Sequence, residues 1–226
     1  MFRHCGTTTT RKRKMGKLSK QRQAKLVNVT GVPTSLFYDE PSFASVHVIH
    51  PQIMVIENFY SKQFIKQLRS ALTSLELETT PPPKSKLYAA RVNDRVCLED
   101  TVAAKNWWKH LHSIVGDMPQ FASAKGLNSN IRIYRYTEGQ FFGAHIDESV
   151  WTDGGRTQWT VLLYLTGESE GLRGGETVFY DEGQVISVVP RAGTVCLHRH
   201  GGDCLEHEAM EVVGGEKWVV RSDIVF

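Results

Sequence analysis

Residues 131–145, IRIYRYTEGQFFGAH, decide the architecture. They read as one short β-type run, Ile131 to Tyr136, a break at Glu138-Gly139, and a second run from Gln140 to His145. The pattern continues to the C-terminus through Gln158 to Leu165, Glu176 to Phe179, Gln184 to Val189, Gly193 to His198 and Lys217 to Phe226, with a further strand around His207. Roughly eight short strands in about a hundred residues, broken by Gly, Asp and Glu, predict a closed antiparallel sandwich or barrel.

Upstream the signals change. Val46 to Ile56 is rich in Val and Ile and carries Pro51, which predicts one or two short strands. Phe64, Ile65, Leu68, Leu72 and Leu75 then fall at helical spacing. Pro81-Pro82-Pro83 breaks the chain and leads into Lys84 to Asp100, read as irregular. A second helix is expected from about Thr101 to Val115, with Val102, Trp108, Leu111 and Val115 inward and a stop before Gly116 and Pro119. The expected fold is mainly β (α+β), with the helices packed outside the β core. The expected division is a tail over 1–45 and one domain over 46–226, with helical support over 58–116 and the β core over 128–226.

The 226 residues carry 27 basic and 24 acidic side chains, a net charge of +3. Nine of the basic residues and no acid fall between Met1 and Tyr38, leaving 18 basic against 24 acidic, or −6, in the remainder. The run Arg11-Lys12-Arg13-Lys14 and four consecutive threonines predict a disordered basic tail, read as a nuclear-import signal or a loose nucleic-acid arm. The expected location is intracellular, nucleus or cytoplasm, with a mitochondrial presequence the minority reading because Lys outnumbers Arg in the tail. No secretory h-region or membrane-length apolar run is visible. The four cysteines, at no CxxC spacing, are expected to be reduced.

His145 and Asp147 are two apart, so at a strand end both side chains leave the same face. An imidazole and a carboxylate, joined by one more imidazole, form the 2-His-1-carboxylate triad that holds Fe(II) on one side. The residues alone leave the second histidine open among His198, His200 and His207. Lys217 and Arg221 share a face of the last strand, opposite Trp218 and Val220. A cation facing such a site suits a dicarboxylic co-substrate.

The string Tyr134-Arg135-Tyr136-x-x-Gly139-Gln140-Phe141-Phe142-x-x-His145-x-Asp147, then Gly174-Gly175-Glu176-Thr177-x-Phe179, Pro190-x-x-Gly193, His207-Glu208 and Gly215-x-Lys217-Trp218, resembles the prolyl 4-hydroxylase-like branch of the 2-oxoglutarate- and Fe(II)-dependent dioxygenases. The resemblance covers about Val55 to Phe226. It implies a double-stranded β-helix (a cupin-like jelly roll) flanked by N-terminal helices. It makes His145, Asp147 and His207 the catalytic metal ligands. It puts Lys217 at the position that pairs with the far carboxylate of 2-oxoglutarate, with Arg221 as rival, Tyr136 assisting and Thr160 beside them. Arg91, Asn93 and Arg95 fall where related enzymes touch substrate, and Trp151 is placed at the pocket mouth. Fe(II), 2-oxoglutarate and O₂ are the implied cofactors, with ascorbate as an accessory by analogy.

The implied reaction hydroxylates a C–H of a prolyl, other peptidyl or amino-acid residue, with release of succinate and CO₂. The implied partner is a peptide, protein or small molecule, with nucleic acid reached through the basic tail only and no membrane. Three readings compete with it. A nucleic-acid demethylase is suggested by the tail, but Gly215-x-Lys217-Trp218 does not fit the Arg-rich final strand of such enzymes. A non-catalytic jelly-roll binding module would leave the three ligands and the co-substrate cation without a use. A zinc site on His198, His200, Cys204 and His207 would leave His145, Asp147 and Lys217 unexplained. His198, last in an apolar strand, reads instead as a packed residue near the metal.

Overall fold

A computed structural model describes residues 43–80 and 89–226. The tail expected over 1–45, apart from its last three residues, and the Pro81-Pro82-Pro83 break lie outside the described residues.

Among the described residues, eleven longer strands and two α-helices build the domain. They are β1 (Ser45–His50), β2 (Ile53–Glu57), α1 (Lys62–Leu72), β3 (Arg91–Glu99), α2 (Thr101–Val115), β4 (Asn130–Tyr136), β5 (Phe141–His145), β6 (Gly155–Tyr164), β7 (Thr177–Asp181), β8 (Gln184–Val188), β9 (Val195–Arg199), β10 (Glu206–Ala209) and β11 (Lys217–Val225); shorter pieces pair along their flanks. Hydrogen bonding follows one antiparallel path, β1-β2-β9-β6-β11-β4-β3-β5-β10-β7-β8. The path folds over at β3, whose first residues, Arg91 and Val92, pair with β5 while Asp94 to Glu99 pair with β4. At the far ends His50 of β1 and Asp181 of β7 come within 3.2 Å across the seam. The sheet therefore curls into a jelly roll with two facing halves.

Period-two alternation assigns each strand a helix side and an inner side. Met54, Ile56, Val161, Leu163, Val195, Leu197, Trp218 and Val220 pack with the helices in one core. Their neighbours Ile53, Tyr164, Cys196 and Val219 turn inward and meet Phe179 and Val188 of the opposite half in a second core. Both faces of β11 are thus covered, and all nine of its residues are buried. Its inner row is Lys217, Val219 and Arg221, so the same alternation that packs Trp218 and Val220 under the helices sends two cations into the barrel.

Each helix begins where a side chain accepts an otherwise unpaired backbone N–H. Ser61 accepts from Phe64 N at 3.1 Å, and Asp100 from Ala103 N at 2.9 Å. Phe64, Ile65, Leu68 and Leu72 form the buried stripe of α1. In α2 Trp107, Leu111 and Val115 are buried together with Ala103 and Ala104, Trp108 is partly covered and packs against the same core, and Val102 differs from expectation at 52% exposed. The two small alanines lie on the same side as the Trp107 ring, and that rotates Val102 outward.

The segment read as irregular, Lys84 to Asp100, holds the nine-residue strand β3. Its dense polar residues hid it. Asp94 accepts two hydrogen bonds from Arg135, at 3.0 and 2.7 Å, and Arg91 Nε donates to Asn93 at 2.9 Å, so partners in the folded chain satisfy groups that alone would favour loop.

Candidate metal centre

His145 ends β5 and His207 lies directly opposite it on β10. Asp147 follows two residues later, where the strand has ended. One donor atom from each of these three residues lies within 4.8 Å of the others. His145 Nε2 is 3.6 Å from Asp147 Oδ1, and His207 Nε2 is 3.6 Å from Asp147 Oδ2. These separations are too long for hydrogen bonds, but two donors each ~2.1 Å from a shared ion lie about 3–4 Å apart. The tautomer fits as well. His145 Nδ1 is 2.9 Å from the Gly143 carbonyl, which can only accept, so the proton sits there and Nε2 offers a lone pair to the cluster. Phe142 stacks on the His145 ring with centroids 3.7 Å apart and fixes its plane.

Electrostatics favour the protonation states a divalent ion needs. Burial pushes His207 down to about 4 despite the nearby Asp147 carboxylate, and burial likewise takes His198 well below its ordinary value. Both rings are neutral at pH 7. Burial works against ionising Asp147, yet Arg221 and the surrounding imidazoles hold its carboxyl well below the usual range. The imidazoles of His145 and His207 and the Asp147 carboxylate form a donor set suited to Fe(II).

The same cavity is lined by Tyr134, Tyr136, Tyr164, Thr177, His198, Lys217 and Arg221 beside the three donors. Lys217 pairs in register with Tyr136, and its Nζ lies 5.5 Å from the Tyr136 ring and 5.7 Å from the Tyr164 ring. Among the described residues, nothing hydrogen-bonds that Nζ. Burial pulls its ammonium down to about 8, with Glu176 only partly opposing. Gly175 explains part of the Gly174-Gly175-Glu176-Thr177 element: its φ is +73°, and an added Cβ would lie 3.2 Å from the Lys217 side chain. Thr177 and Tyr164 are joined by a hydroxyl contact of 2.8 Å.

Not every residue singled out in the sequence reaches this space. Arg221 lines it but is already engaged, donating to Asp147 at 2.8 Å and to Asp223 at 3.1 and 3.2 Å. Thr160 donates to Asp147 Oδ2 at 3.0 Å. Arg91 stands over the Tyr134 and Phe142 rings at 4.7 and 4.6 Å, behind the cavity wall; Asn93 is buried beside it, and Arg95 pairs in register with Tyr134. Trp151 is 80% exposed on a short hairpin opposite Arg156, away from the lining. His198 does line the cavity, with Nε2 3.7 Å from Asp147 Oδ2. Of the four residues in the zinc reading, only His198 and His207 line it. Sequence reasoning passed over Tyr164 and Thr177. The signal for Tyr164 was present, because it lies four residues after Thr160 on one face of one strand.

Comparison with known proteins agrees with this geometry. Residues 131–222 match the family model described as the 2OG-Fe(II) oxygenase superfamily. A Mus musculus protein named 2-oxoglutarate and iron-dependent oxygenase domain-containing protein 3 is 33% identical over 86 residues, which are 38% of this chain and 26% of that protein. The chain thus spans about a quarter of the length of that relative. A PKHD-type hydroxylase of Shewanella baltica is 27% identical over 174 residues, covering 73% of this chain and 74% of the relative. Among solved structures, a prolyl hydroxylase from Trichoplax adhaerens in complex with a hypoxia inducible factor peptide fragment superposes with a TM-score of 0.56 at 17% identity, covering 79% of this chain and 85% of that one.

Proposed function

Because the chain carries a domain of the 2OG-Fe(II) oxygenase superfamily with a prolyl-hydroxylase-like fold, we propose that it hydroxylates a C–H bond of a peptidyl or amino-acid substrate, proline first, at the His145–Asp147–His207 centre. One observation carries this reading: a cavity with three convergent metal donors also holds a buried ammonium, Lys217, to which no described residue hydrogen-bonds. When bound, Fe(II) with 2-oxoglutarate and O₂ supplies the oxidising power, the co-substrate leaving as succinate and CO₂.

The protein's own residues supply position and exclusion of water. His145, Asp147 and His207 would hold the ion. Lys217 presents its ammonium to the far carboxylate of the co-substrate, where the apolar wall of Leu162 and Val219 and the rings of Tyr136 and Tyr164 keep the contact dry. Tyr136 is pushed up to about 12 by burial, so its hydroxyl stays a donor for the same carboxylate. Arg221 is less suited to that task, since its donors already serve two acids. A peptide is favoured over a free small molecule by the peptide held in the Trichoplax structure.

Succinate formation from 2-oxoglutarate, measured across peptide, amino-acid and oligonucleotide substrates with product mass, tests the assignment. A +16 product on a peptide is expected. Formaldehyde release would replace hydroxylation with demethylation, and no turnover of 2-oxoglutarate in Fe(II)-loaded protein would sink the enzyme reading.

A further inference from the structure

Two relays of polar groups end on Asp147, one on each carboxylate oxygen. The first is ionic: Arg132 pairs with Asp223, Asp223 accepts from Arg221, and Arg221 Nη1 donates to Asp147 Oδ1 at 2.8 Å. The second is neutral, and its direction can be deduced. Thr160 Oγ1 is 3.0 Å from Asp147 Oδ2; an ionised carboxylate has no proton to give, so the Thr160 hydroxyl donates. That hydroxyl has spent its only proton. His200 Nδ1, 2.9 Å away, must therefore be the protonated nitrogen and donate to Thr160. His200 Nε2 is then a bare acceptor, and at 3.0 Å it accepts a hydrogen bond from the Thr157 hydroxyl. Thr157 in turn accepts from the Val150 N–H at 3.0 Å. Every bond from Val150 to Asp147 points the same way, so each polarises the next. Arg221 Nη2 also reaches Thr160 at 3.3 Å and ties the relays together.

Thr157, Thr160, His200 and Asp223 are all buried, and none of the four lines the cavity, so none is placed to meet a ligand. Burying this many polar groups is costly unless they are fully paired, and here they converge on one acceptor. We propose that Arg221 and the Thr157–His200–Thr160 relay are positioning residues that clamp Asp147 by both oxygens, so that a divalent ion meets a carboxylate already fixed in place. This assigns His200, Thr160 and Arg221 a task at the metal rather than at the co-substrate, and it rests on the reading of His145, Asp147 and His207 as ligands.

The test is Mn(II) titration of the full-length protein, following the six-line resonance signal of free Mn(II), with and without 2-oxoglutarate. Thr160→Val keeps shape but removes the hydroxyl, and it should weaken Mn(II) binding about tenfold; Arg221→Gln should approach about 100-fold, the range for losing a group that orients a metal ligand. Thr160→Ser should restore tight binding, which a role in packing alone does not predict. Affinity for 2-oxoglutarate at saturating Mn(II) should stay near the wild-type value in Thr160→Val. If the variants bind Mn(II) as the wild type does and lose 2-oxoglutarate affinity instead, the clamp is wrong and both residues belong to the co-substrate. A wild-type protein that binds no Mn(II) removes the metal reading and the clamp together. Should Arg221→Gln fail to fold, the Thr160 pair decides the matter alone.

Discussion

The carboxylate and the ammonium that line the cavity are built on opposite terms. Around Asp147 each carboxylate oxygen has a donor, and those donors are in turn held by Asp223, Arg132 and His200. Around Lys217 a buried cation meets aromatic rings, with no hydrogen-bonding partner among the described residues. A satisfied network fixes a group where it stands, whereas an unsatisfied buried charge is a standing cost that a matching ion can relieve. The contrast separates Arg221 from Lys217, two cations on one face of one strand that the sequence offered as equal candidates for the same carboxylate.

The contrast can be broken most severely at Asp147. Asp147→Ala should lower metal affinity by more than about 100-fold and, by stranding buried Arg221, destabilise the fold by roughly 3–5 kcal/mol. Metal content and thermal unfolding report the two effects, and retained 2-oxoglutarate-dependent succinate formation in this variant would contradict the metal reading altogether. Lys217→Met should act only on the co-substrate. Losing one charge-assisted contact, worth about 1.5–3 kcal/mol, should weaken 2-oxoglutarate binding roughly 10- to 100-fold and leave Mn(II) affinity unchanged. Equal loss of both would mean the two groups are not separable.

Acidity offers a finer probe. Lys217 in the free protein loses its proton near 8, and a dianion favours the charged form. Affinity for 2-oxoglutarate should therefore be flat below that pH, where the ammonium is already present. Above it, binding must take up a proton, and affinity should fall about tenfold per pH unit. A profile flat to pH 10 would place the co-substrate elsewhere. The smallest effect is expected from Gly175→Ala, which forces a side chain into φ +73° and against the Lys217 stem, at a cost of roughly 1–2 kcal/mol. Thermal unfolding should show that cost, with 2-oxoglutarate affinity lowered by only a few-fold, as expected of a group that shapes the pocket without binding.

Much of the site could be read because its signals are local. His145 and Asp147 are separated by one residue, and the alternation of Lys217, Val219 and Arg221 against Trp218 and Val220 follows from strand geometry alone. The strand at Arg91 to Glu99 escaped because the partner of its buried Asp94 is Arg135, forty-one residues away. The relay through His200 escaped for a similar reason. His198 faces Thr160 only once β9 pairs with β6, and nothing in the spacing of Thr157, Thr160 and His200 shows that they will meet. Helix α2 shows in its spacing, and its inward face carries Trp107 at the centre with Trp108 packed at the edge of the same core.

The placement of His145 opposite His207 has a mechanical consequence. An ion shared by the two residues would cross-link neighbouring strands and close the loop from position 145 to 207, in the manner of a removable staple. Strands β6 to β9 all lie within that loop. Loading the centre at 100 times its dissociation constant would add about 2.7 kcal/mol to the stability of the whole barrel. Amide hydrogens across that span should then exchange more slowly as the metal is titrated in, so the centre would govern the rigidity of the wall around it.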